Sequence, residues 1–338
     1  MLIAGPNLTI DRTSTIDELR PGDVLRFANV AVTPGGKGVN VARVAQAFGA
    51  PALLVGFTPG RTGAAAAGLL GDEGLDLRPV PVGGEIRATI VMLERGGRVT
   101  VINEPGPPLG AGDWARYEAA IEEVLPAHRV LACSGSVPPG APPDAYARLA
   151  THAAAHGAAA IVDAGGPLLA AALEARPAVV APNLAEAEGL LHGRADEAVE
   201  AGPPEEARRR AEAAAAALVA RGAQRAVVTA GAAGAAVADD RAVRWHPAPP
   251  VTVRNPIGAG DALVGGLGVA LERGEPFERA AVLGLAAAAA SVETARAGGV
   301  DPARAGALAA LPDTAAGEAV RGRTASPGTG GAAGTPPP

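Results

Sequence analysis

Short apolar runs alternate along this chain with longer Ala-rich segments, and this alternation constrains the fold more than any other feature. Each run is continuously apolar, which is typical of strands that helices cover on both faces of a sheet. We predict such strands at 52–57, 130–133, 160–163, 178–181 and 226–229. We predict helices at 39–48, 62–70, 144–156, 185–191, 204–221 and 262–273. The order of these elements predicts an α/β fold with a central, mostly parallel sheet flanked by helices on both faces.

Two segments interrupt this alternation, near residues 8–33 and 85–104, with strand-like patterns and little helical character. In the second segment, two strand-like runs flank Gly96 and Gly97, which predicts a hairpin. We predict that both segments form a small β-sheet that lies as a lid over one edge of the main sheet. Residues 1–311 are expected to form one domain. Residues 312–338 are rich in Gly, Ala and Pro, and we predict that they form a disordered tail.

The composition limits the kinds of molecule that this protein is expected to bind and the cellular compartment in which it is expected to lie. The formal net charge is −6, which argues against a general nucleic-acid binder, because such a protein carries a basic stripe. The chain has a single cysteine, Cys133, which excludes an internal disulfide framework and fits a reducing cytoplasm. The N-terminal residues lack a signal-peptide pattern, and the longest apolar run, near 283–292, is too short to span a bilayer. We therefore expect a cytoplasmic protein that binds neither nucleic acid nor membrane.

The most informative motif lies at residues 255–266, where a loop with Gly258 and Gly260 precedes a small-residue apolar helix. The glycines and Ala259 allow backbone N–H groups to face a ligand, and the helix N-terminus adds further donors. This arrangement predicts a nest for an anion, most plausibly a phosphate. Asp261 places a proton-accepting carboxylate beside the nest, and the transfer of a phosphoryl group to a hydroxyl needs both features. The alternative is a plain glycine turn with Asp261 as an N-terminal helix residue.

A second glycine-rich loop opens a helix at residues 34–43 and contains Gly35, Gly36, Lys37 and Asn40. The glycines would let the backbone approach a polar ligand, while Lys37 and Asn40 supply donors. The loop is not a Walker P-loop, because a Gly follows Lys37, and the chain contains no G-x-G-x-x-G fingerprint of a dinucleotide site. Asp11 follows the first strand and could hydrogen-bond sugar hydroxyls. The alternatives are a glycine turn with an exposed Lys, and a polar residue at the entry to the lid.

Two further loops each follow a predicted strand. Asn183 and Glu186 could hold a hydrated Mg²⁺, which takes few protein ligands, although their spacing equally predicts an N-cap with a capping box. The loop with Thr229, Gly231 and Gly234 could contact nucleotide phosphates through backbone amides, and a plain βα turn explains it equally well.

The two glycine loops, with the spacing of residues 35–40 and 258–261, resemble the signatures of the ribokinase-like PfkB family of sugar kinases. The resemblance covers residues 1–311, nearly everything except the tail. It implies a ribokinase-like fold with a β lid, ATP and Mg²⁺ as cofactors, and a small-molecule sugar as the acceptor. It also implies that Asp261 is the general base, that amides of Gly258, Ala259 and Gly260 stabilise the transferring group, and that the protein forms a homodimer through the lid.

Finer details resemble the branch of 1-phosphofructokinases and tagatose-6-phosphate kinases. They are Asn7 through Asp11, Arg87 in the lid hairpin, residues 134–140, and the glycine pair at 265–266. A substrate that already carries a phosphate needs cations, and Arg can bind phosphate with two hydrogen bonds. The sequence departs from the branch at Ala181, Thr89, Ala233 and residues 256–257. These departures affect the details of the sugar and nucleotide contacts.

The resemblance to this branch implies a role for each candidate residue. The phosphosugar contacts are Asp11, Gly35, Gly36, Lys37, Asn40, Arg87 and Ser136. The ATP contacts are Thr229, Gly231, Gly234, Gly258 and Gly260. Asn183 and Glu186 hold the metal, mostly through water.

We expect phosphorylation of fructose 1-phosphate to fructose 1,6-bisphosphate. The alternatives are a tagatose-6-phosphate or fructose-6-phosphate kinase, then a kinase of a free sugar or nucleoside, and then a non-catalytic sugar-phosphate sensor.

Overall fold

The computed structural model describes residues 1–193 and 203–311, so the predicted tail at 312–338 lies outside the described residues. The strands are β1 (Leu2–Ala4), β2 (Thr9–Ile16), β3 (Ala31–Gly35), β4 (Leu53–Pro59), β5 (Asp76–Val82), β6 (Arg87–Glu94), β7 (Val99–Asn103), β8 (Val130–Ser134), β9 (Ala159–Asp163), β10 (Val179–Val180), β11 (Ala226–Thr229), β12 (Gly234–Ala238) and β13 (Val243–Pro247). The helices are α1 (Lys37–Ala47), α2 (Gly60–Asp72), α3 (Asp113–Val124), α4 (Ala145–Ala155), α5 (Gly166–Glu174), α6 (Leu184–His192), α7 (Pro204–Ala220), α8 (Ala259–Glu272), α9 (Phe277–Ser291) and α10 (Pro302–Ala309).

The larger sheet has the strand order β13-β12-β11-β10-β9-β8-β1-β4-β5 among the described residues. Every neighbouring pair from β11 to β5 is parallel. The pairs β11–β12 and β12–β13 are antiparallel and extend one edge of the sheet. The five strands predicted from apolar runs correspond to β4, β8, β9, β10 and β11. The prediction of a central, mostly parallel sheet is therefore confirmed.

The smaller sheet has the order β3-β2-β6-β7 and is built from the two segments that interrupt the alternation. Strands β6 and β7 pair antiparallel, as the predicted hairpin requires, and β2 pairs with β6 in parallel. Apolar side chains of this sheet remain exposed, among them Val32 at 43%, Val101 at 42% and Ile102 at 52%. The small sheet therefore presents an apolar surface that the described residues of this chain do not cover.

Alternate side chains of the short central strand β1 enter two different parts of the core. Leu2 and Ala4 pack in one buried cluster, and Ile3 packs in another. Because successive side chains of a strand point to opposite faces, both faces of the sheet are buried. Ala-rich helices such as α7 supply small buried side chains that allow close packing on the sheet, which offsets the scarcity of aromatic residues.

No helix within residues 1–193 and 203–311 combines the length and the apolarity that a membrane crossing needs.

Candidate active site

A cleft of about 1160 Å³ lies at the carboxyl ends of the central strands and is lined by residues of both sheets. Ligands of open α/β sheets bind at this edge. The cleft brings together most of the residues that the sequence singles out: Asp11, Gly36, Lys37, Asn40, Arg87, Asn183, Glu186, Thr229, Gly231, Gly234, Gly258, Ala259, Gly260 and Asp261. Gly35 and Ser136 are the two predicted site residues that do not line it.

Asp261 lies in the first turn of α8, directly after the predicted glycine loop. Gly258 ends this loop with φ of 88°, a left-handed conformation that L side chains rarely adopt. The helix begins at Ala259, three residues before the predicted start. The first turn of a helix leaves N–H groups without intrahelical acceptors, so the predicted anion nest and the Asp261 carboxylate lie side by side.

Asp261 is 5% exposed and accepts a hydrogen bond of 2.7 Å from Nδ2 of Asn40. Burial raises the pKa of the Asp261 carboxyl to about 7. The positive charge of Lys37 and the hydrogen bond from Asn40 oppose this increase, whereas the charges of Asp163 and Glu186 add to it. A carboxylate whose pKa lies near neutrality can accept a proton and release it again under ordinary conditions.

Lys37 lies at the start of α1, and its ammonium group forms an ion pair with Asp163. The distances from Nζ to the two carboxylate oxygens are 3.3 and 3.4 Å. The negative charge of Asp163 raises the pKa of the Lys37 ammonium, which therefore stays charged. Ser134 donates a hydrogen bond of 3.0 Å to the same carboxylate. The structure thus places a cation and a second buried acid close to Asp261.

Asp163 also lines the large cleft, although no motif in the sequence indicates it. One signal was present, because Asp163 ends a predicted strand and two glycines follow shortly after it. A polar residue at the carboxyl end of a parallel strand lies at the ligand-binding edge of the sheet.

Asp11 carries an unpartnered buried oxygen on the side of the cleft formed by the small sheet. Its Oδ1 is buried and has no hydrogen-bond partner among the described residues. Burial raises the pKa of the Asp11 carboxyl, and the charges of Arg43 and Arg87 oppose that increase. Gly35 lies directly against this carboxylate, because a Cβ at Gly35 would lie 2.1 Å from Oδ2. A buried acceptor without a partner fits a ligand that brings a hydroxyl.

A second cleft of about 650 Å³ shares Gly36, Lys37, Arg87 and Asn103 with the first. Arg87 donates from Nε to the backbone oxygen of Asn7 at 3.2 Å, and Asn7 Nδ2 donates to Ser136 Oγ at 3.0 Å. Ser136 therefore lies beside Arg87 in this smaller cleft rather than in the large one. Two cationic side chains and a hydroxyl around a small cavity suit an anionic group such as a phosphate.

Asn183 and Glu186 form the capping box that was one of the two alternatives for this motif. Asn183 Oδ1 accepts from the Glu186 backbone at 2.7 Å, and Glu186 Oε2 accepts from the Asn183 backbone at 3.0 Å. Both residues also line the large cleft. Within the part of the chain that the structure describes, no group of three or more His, Cys, Asp or Glu residues could hold a metal ion. One carboxylate and one amide still fit Mg²⁺, which keeps several waters and binds substrate phosphates.

The loop after β11 forms the far wall of the large cleft. Thr229 ends the strand, and Gly231 and Gly234 both have positive φ, at 54° and 133°. Apolar side chains also line the large cleft: Pro250, Val251, Leu285, Ala288, Ala289 and Val292. Backbone amides near an apolar slot suit a ligand with a phosphate chain and a flat, largely apolar ring system.

A family model described as pfkB family carbohydrate kinase matches residues 7–304 of this chain. Phosphofructokinase-2 from Escherichia coli, solved in complex with potassium, is 27% identical with a TM-score of 0.81. The match covers 92% of this chain and 98% of that chain. The same protein solved with fructose-6-phosphate has a TM-score of 0.78 at the same identity and coverage, and another structure shows its tetrameric inhibited form.

Two structures from Thermotoga maritima show the same fold at lower identity. One, described as a possible 1-phosphofructokinase, is 24% identical with a TM-score of 0.76, and the match covers 91% of this chain and 96% of that chain. The other is a ribokinase, 20% identical with a TM-score of 0.69, for which the match covers 91% of this chain and 98% of that chain.

Proposed function

The chain belongs to the pfkB family of carbohydrate kinases, and from this premise we propose that it transfers the γ-phosphoryl group of ATP to a hydroxyl of a hexose phosphate. The family and the ribokinase-like fold predicted from the sequence are both confirmed. The acceptor that we favour is fructose 1-phosphate, with fructose 1,6-bisphosphate as the product. The observation that carries the proposal is the buried Asp261 carboxylate beside the N-terminus of α8, with a pKa near neutrality.

In this mechanism Asp261 accepts the proton of the attacking hydroxyl. The hydroxyl oxygen forms a bond to the γ-phosphorus while the bond from that phosphorus to the bridging oxygen breaks, and ADP leaves. The backbone N–H groups of Gly258, Ala259 and Gly260 stabilise the negative charge on the transferring group. Positioning and electrostatics supply most of the catalysis in phosphoryl transfer, so a rigid nest beside the base supports this assignment.

The acceptor sugar is proposed to lie between the small sheet and Asp261. Asp11, Gly36 and Asn40 orient its hydroxyls, and the unpartnered oxygen of Asp11 supports this role. Gly35 has an indirect role. It has no side chain, and this leaves room for the Asp11 carboxylate.

The second cleft suits the phosphate that the acceptor already carries. Arg87 and Ser136 line that cleft, and Lys37 lies where the two clefts meet. A kinase of an uncharged sugar has no need of two cations there.

ATP is proposed to lie along the far wall of the cleft, with its phosphates at the amides of Thr229, Gly231 and Gly234 and at the nest of Gly258 and Gly260. Asn183 and Glu186 would hold Mg²⁺, mostly through water. When bound, Mg²⁺ neutralises charge on the phosphates of the nucleotide.

Four alternatives to phosphorylation of fructose 1-phosphate are supported to different degrees. Fructose 6-phosphate is the first, because phosphofructokinase-2 from Escherichia coli was solved with that compound. Tagatose 6-phosphate would use the same phosphate subsite. A free sugar or nucleoside would leave Arg87 without a role. A non-catalytic sugar-phosphate sensor would not need the base and the anion nest, both of which are intact here.

We also propose a homodimer in which the small sheets of two copies meet. The exposed apolar side chains of this sheet support the proposal, since an apolar surface gains free energy when a partner covers it. A cytoplasmic location belongs to the same proposal, because the single cysteine is free and buried and the reaction consumes ATP.

The test is ADP release from Mg-ATP with fructose 1-phosphate, fructose 6-phosphate and tagatose 6-phosphate, beside free fructose, ribose and adenosine. Asp261→Asn protein, purified identically, controls for contaminating kinases. Strong turnover of one phosphosugar supports the proposal and identifies the acceptor. Turnover of an uncharged acceptor alone contradicts the phosphate subsite, and no turnover with any sugar favours the sensor.

A further inference from the structure

Arg43 is a buried arginine on α1 that the proposed mechanism does not use. It lies three residues after Asn40, so both side chains share one face of the helix. The Arg43 side chain is 8% exposed, and its Nη1 donates to Asn40 Oδ1 at 3.0 Å. Nε and Nη2 donate to the two carboxylate oxygens of Glu73 at 2.8 and 3.1 Å. Nη2 also donates to the backbone oxygen of Pro34 at 2.6 Å.

We propose that Arg43, held by Glu73, is a positioning residue that fixes the orientation of the Asn40 amide toward Asp261. The inference rests on the proposed function, in which Asp261 is the general base.

The two ends of the Asn40 amide differ in the hydrogen bonds that they form. They have nearly the same shape, but the oxygen only accepts and the nitrogen only donates. A guanidinium group only donates, so it selects the orientation in which Oδ1 faces Arg43 and Nδ2 faces Asp261. In the reversed orientation two donors would meet at Arg43, and two acceptors would meet at the Asp261 carboxylate. One rigid arginine therefore decides whether the base receives a hydrogen bond.

Glu73 keeps the guanidinium in place. Its carboxylate binds Arg43 through two hydrogen bonds, which fixes both the position and the plane of the guanidinium group. Arg296 also pairs with Glu73, from a loop that borders the large cleft. Gly298 in the same loop lies against Asn40, since a Cβ there would lie 2.7 Å from the Asn40 Cα. Asn40 is thus held between the Arg43–Glu73 pair and this loop.

Loss of this orientation should raise the pKa of the Asp261 carboxyl. Without Arg43 the Asn40 amide can rotate, and the Asp261 carboxylate loses a donor that favours its charged form. Lys37, Asp163 and Glu186 also act on Asp261, but the substitution leaves them in place. The charge of Arg43 also acts on the Asp11 carboxyl, so a change in the acid limb of the pH–rate profile reports the orientation of the amide when it disappears in an Asn40→Ala background.

The experiment measures kcat against pH for the wild type and for Arg43→Met, with both substrates saturating. We expect the acid limb to move to higher pH by about one unit. A shift of this size corresponds to the free energy that one hydrogen bond to a charged group contributes. With an apparent pKa near 7 in the wild type, this shift predicts about a fivefold loss of kcat at pH 7 and a recovery of kcat at pH 9. The KM for ATP should not change.

Arg148→Met is the matched control. Arg148 pairs with Glu118, a buried carboxylate, between α4 and α3, and neither residue lines either cleft. This variant should keep the wild-type pH profile. The ionisation of the substrate phosphate is the same for every variant, so it cancels in the comparison.

A double-mutant cycle tests whether Arg43 acts through Asn40. In an Asn40→Ala background, Arg43→Met should not move the acid limb further. A uniform loss at every pH with an unmoved limb, or an equal shift in the Asn40→Ala background, overturns the proposal. Should Arg43→Met fail to fold, Arg43→Met/Glu73→Met removes the buried pair together, and the same shift is expected. Full activity of Asp261→Asn would instead contradict the proposed function, so the two failures are distinguishable.

Discussion

The side chain of Asn40 donates a hydrogen bond of 2.7 Å to the carboxylate of Asp261, across 221 residues of sequence. The contact joins the first turn of α1 to the first turn of α8. Gly265 makes this approach possible, because a Cβ at that position would lie 2.6 Å from Cγ1 of Val44 on α1. The two glycine loops therefore face one cleft because their helices pack closely.

Replacement of Asp261 with Asn removes the proposed base without changing the size of the side chain. We expect kcat to fall by about 10²–10⁴-fold, the usual contribution of a general base. Nucleotide binding should survive, because the glycine amides remain. Single-turnover kinetics and calorimetric titration with ATP measure the two effects, and near-normal turnover would contradict the assignment.

The same Asp261→Asn protein should be more stable than the wild type in alkaline solution. Burial raises the pKa of Asp261 to about 7 in the folded protein, from an ordinary value of 3.8. Between these pH values the folded state binds a proton that the unfolded state has released, so this group lowers the free energy of unfolding as pH rises. The variant should exceed the wild type at pH 8 by at most about 4 kcal/mol. Urea denaturation at pH 4 and pH 8 checks this, and a pH-independent difference would argue against it.

Arg87→Ala should raise the KM for the phosphosugar by about 10–100-fold, the range expected for the loss of hydrogen bonds to a charged group. The KM for ATP should stay within about twofold, because the proposed nucleotide site lies along the opposite wall. Arg95→Ala is the control, since Arg95 lies in the hairpin turn and pairs with Asp17 in solvent. Steady-state kinetics with each substrate varied in turn provide the measurement, and an unchanged KM for the sugar would favour a free-sugar kinase.

Gly35→Ala should damage sugar binding although Gly35 does not line the cleft. The new methyl group would overlap the Asp11 carboxylate, at 2.1 Å from Oδ2, and displace it. We expect kcat/KM to fall by about 10²-fold, as for other small displacements of positioning groups.

Gly68→Ala is the matched control for Gly35→Ala, because a Cβ at Gly68 on α2 meets no atom within 4 Å. It should keep wild-type kinetics and gain about 0.5–1 kcal/mol of stability. Equal kinetics of the two variants would show that Asp11 tolerates displacement.

Glu186→Gln separates the structural role of this residue from its proposed role at the metal. Gln also forms a capping box, so the melting temperature should stay close to that of the wild type. The Mg²⁺ concentration that gives half of the maximal rate should rise about tenfold, because a carboxylate is lost. Glu212→Gln, which removes a charge that pairs with Arg208 on α7, is the control. An unchanged Mg²⁺ requirement would leave Glu186 as a helix cap alone.

The predicted strands and helices all have counterparts in the structure, but helices α3, α5, α9 and α10 were not predicted. The run at 226–229 is β11 (Ala226–Thr229), and the segment at 204–221 is α7 (Pro204–Ala220). Strands β5, β12 and β13 were not predicted. Strand β5 contains two prolines and β12 is mostly Ala, and both residue types are poor strand formers. Their pairing with neighbouring strands overrides these local preferences.

The site was predictable where a motif carries its own chemistry. The glycine loops and Asp261 could be named from the sequence, because their residue types and spacing point to anion binding and proton transfer. Arg87 could be named only through the resemblance to a branch of the family. Asp163, Arg43 and Glu73 could not be assigned in this way. Their roles come from contacts with Lys37 and Asn40, and Asp163 lies 126 residues from Lys37.

The sequence by itself determined the α/β order of elements, the glycine loops that open α1 and α8, and the acid that follows the second loop. These depend on residues within a few positions of one another, where backbone preferences and apolar patterns act. Only the tertiary structure decided which polar groups meet, how deeply Asp261 is buried, and therefore where it titrates. Burial and charge–charge interactions depend on distance in space, and a linear chain does not record that distance.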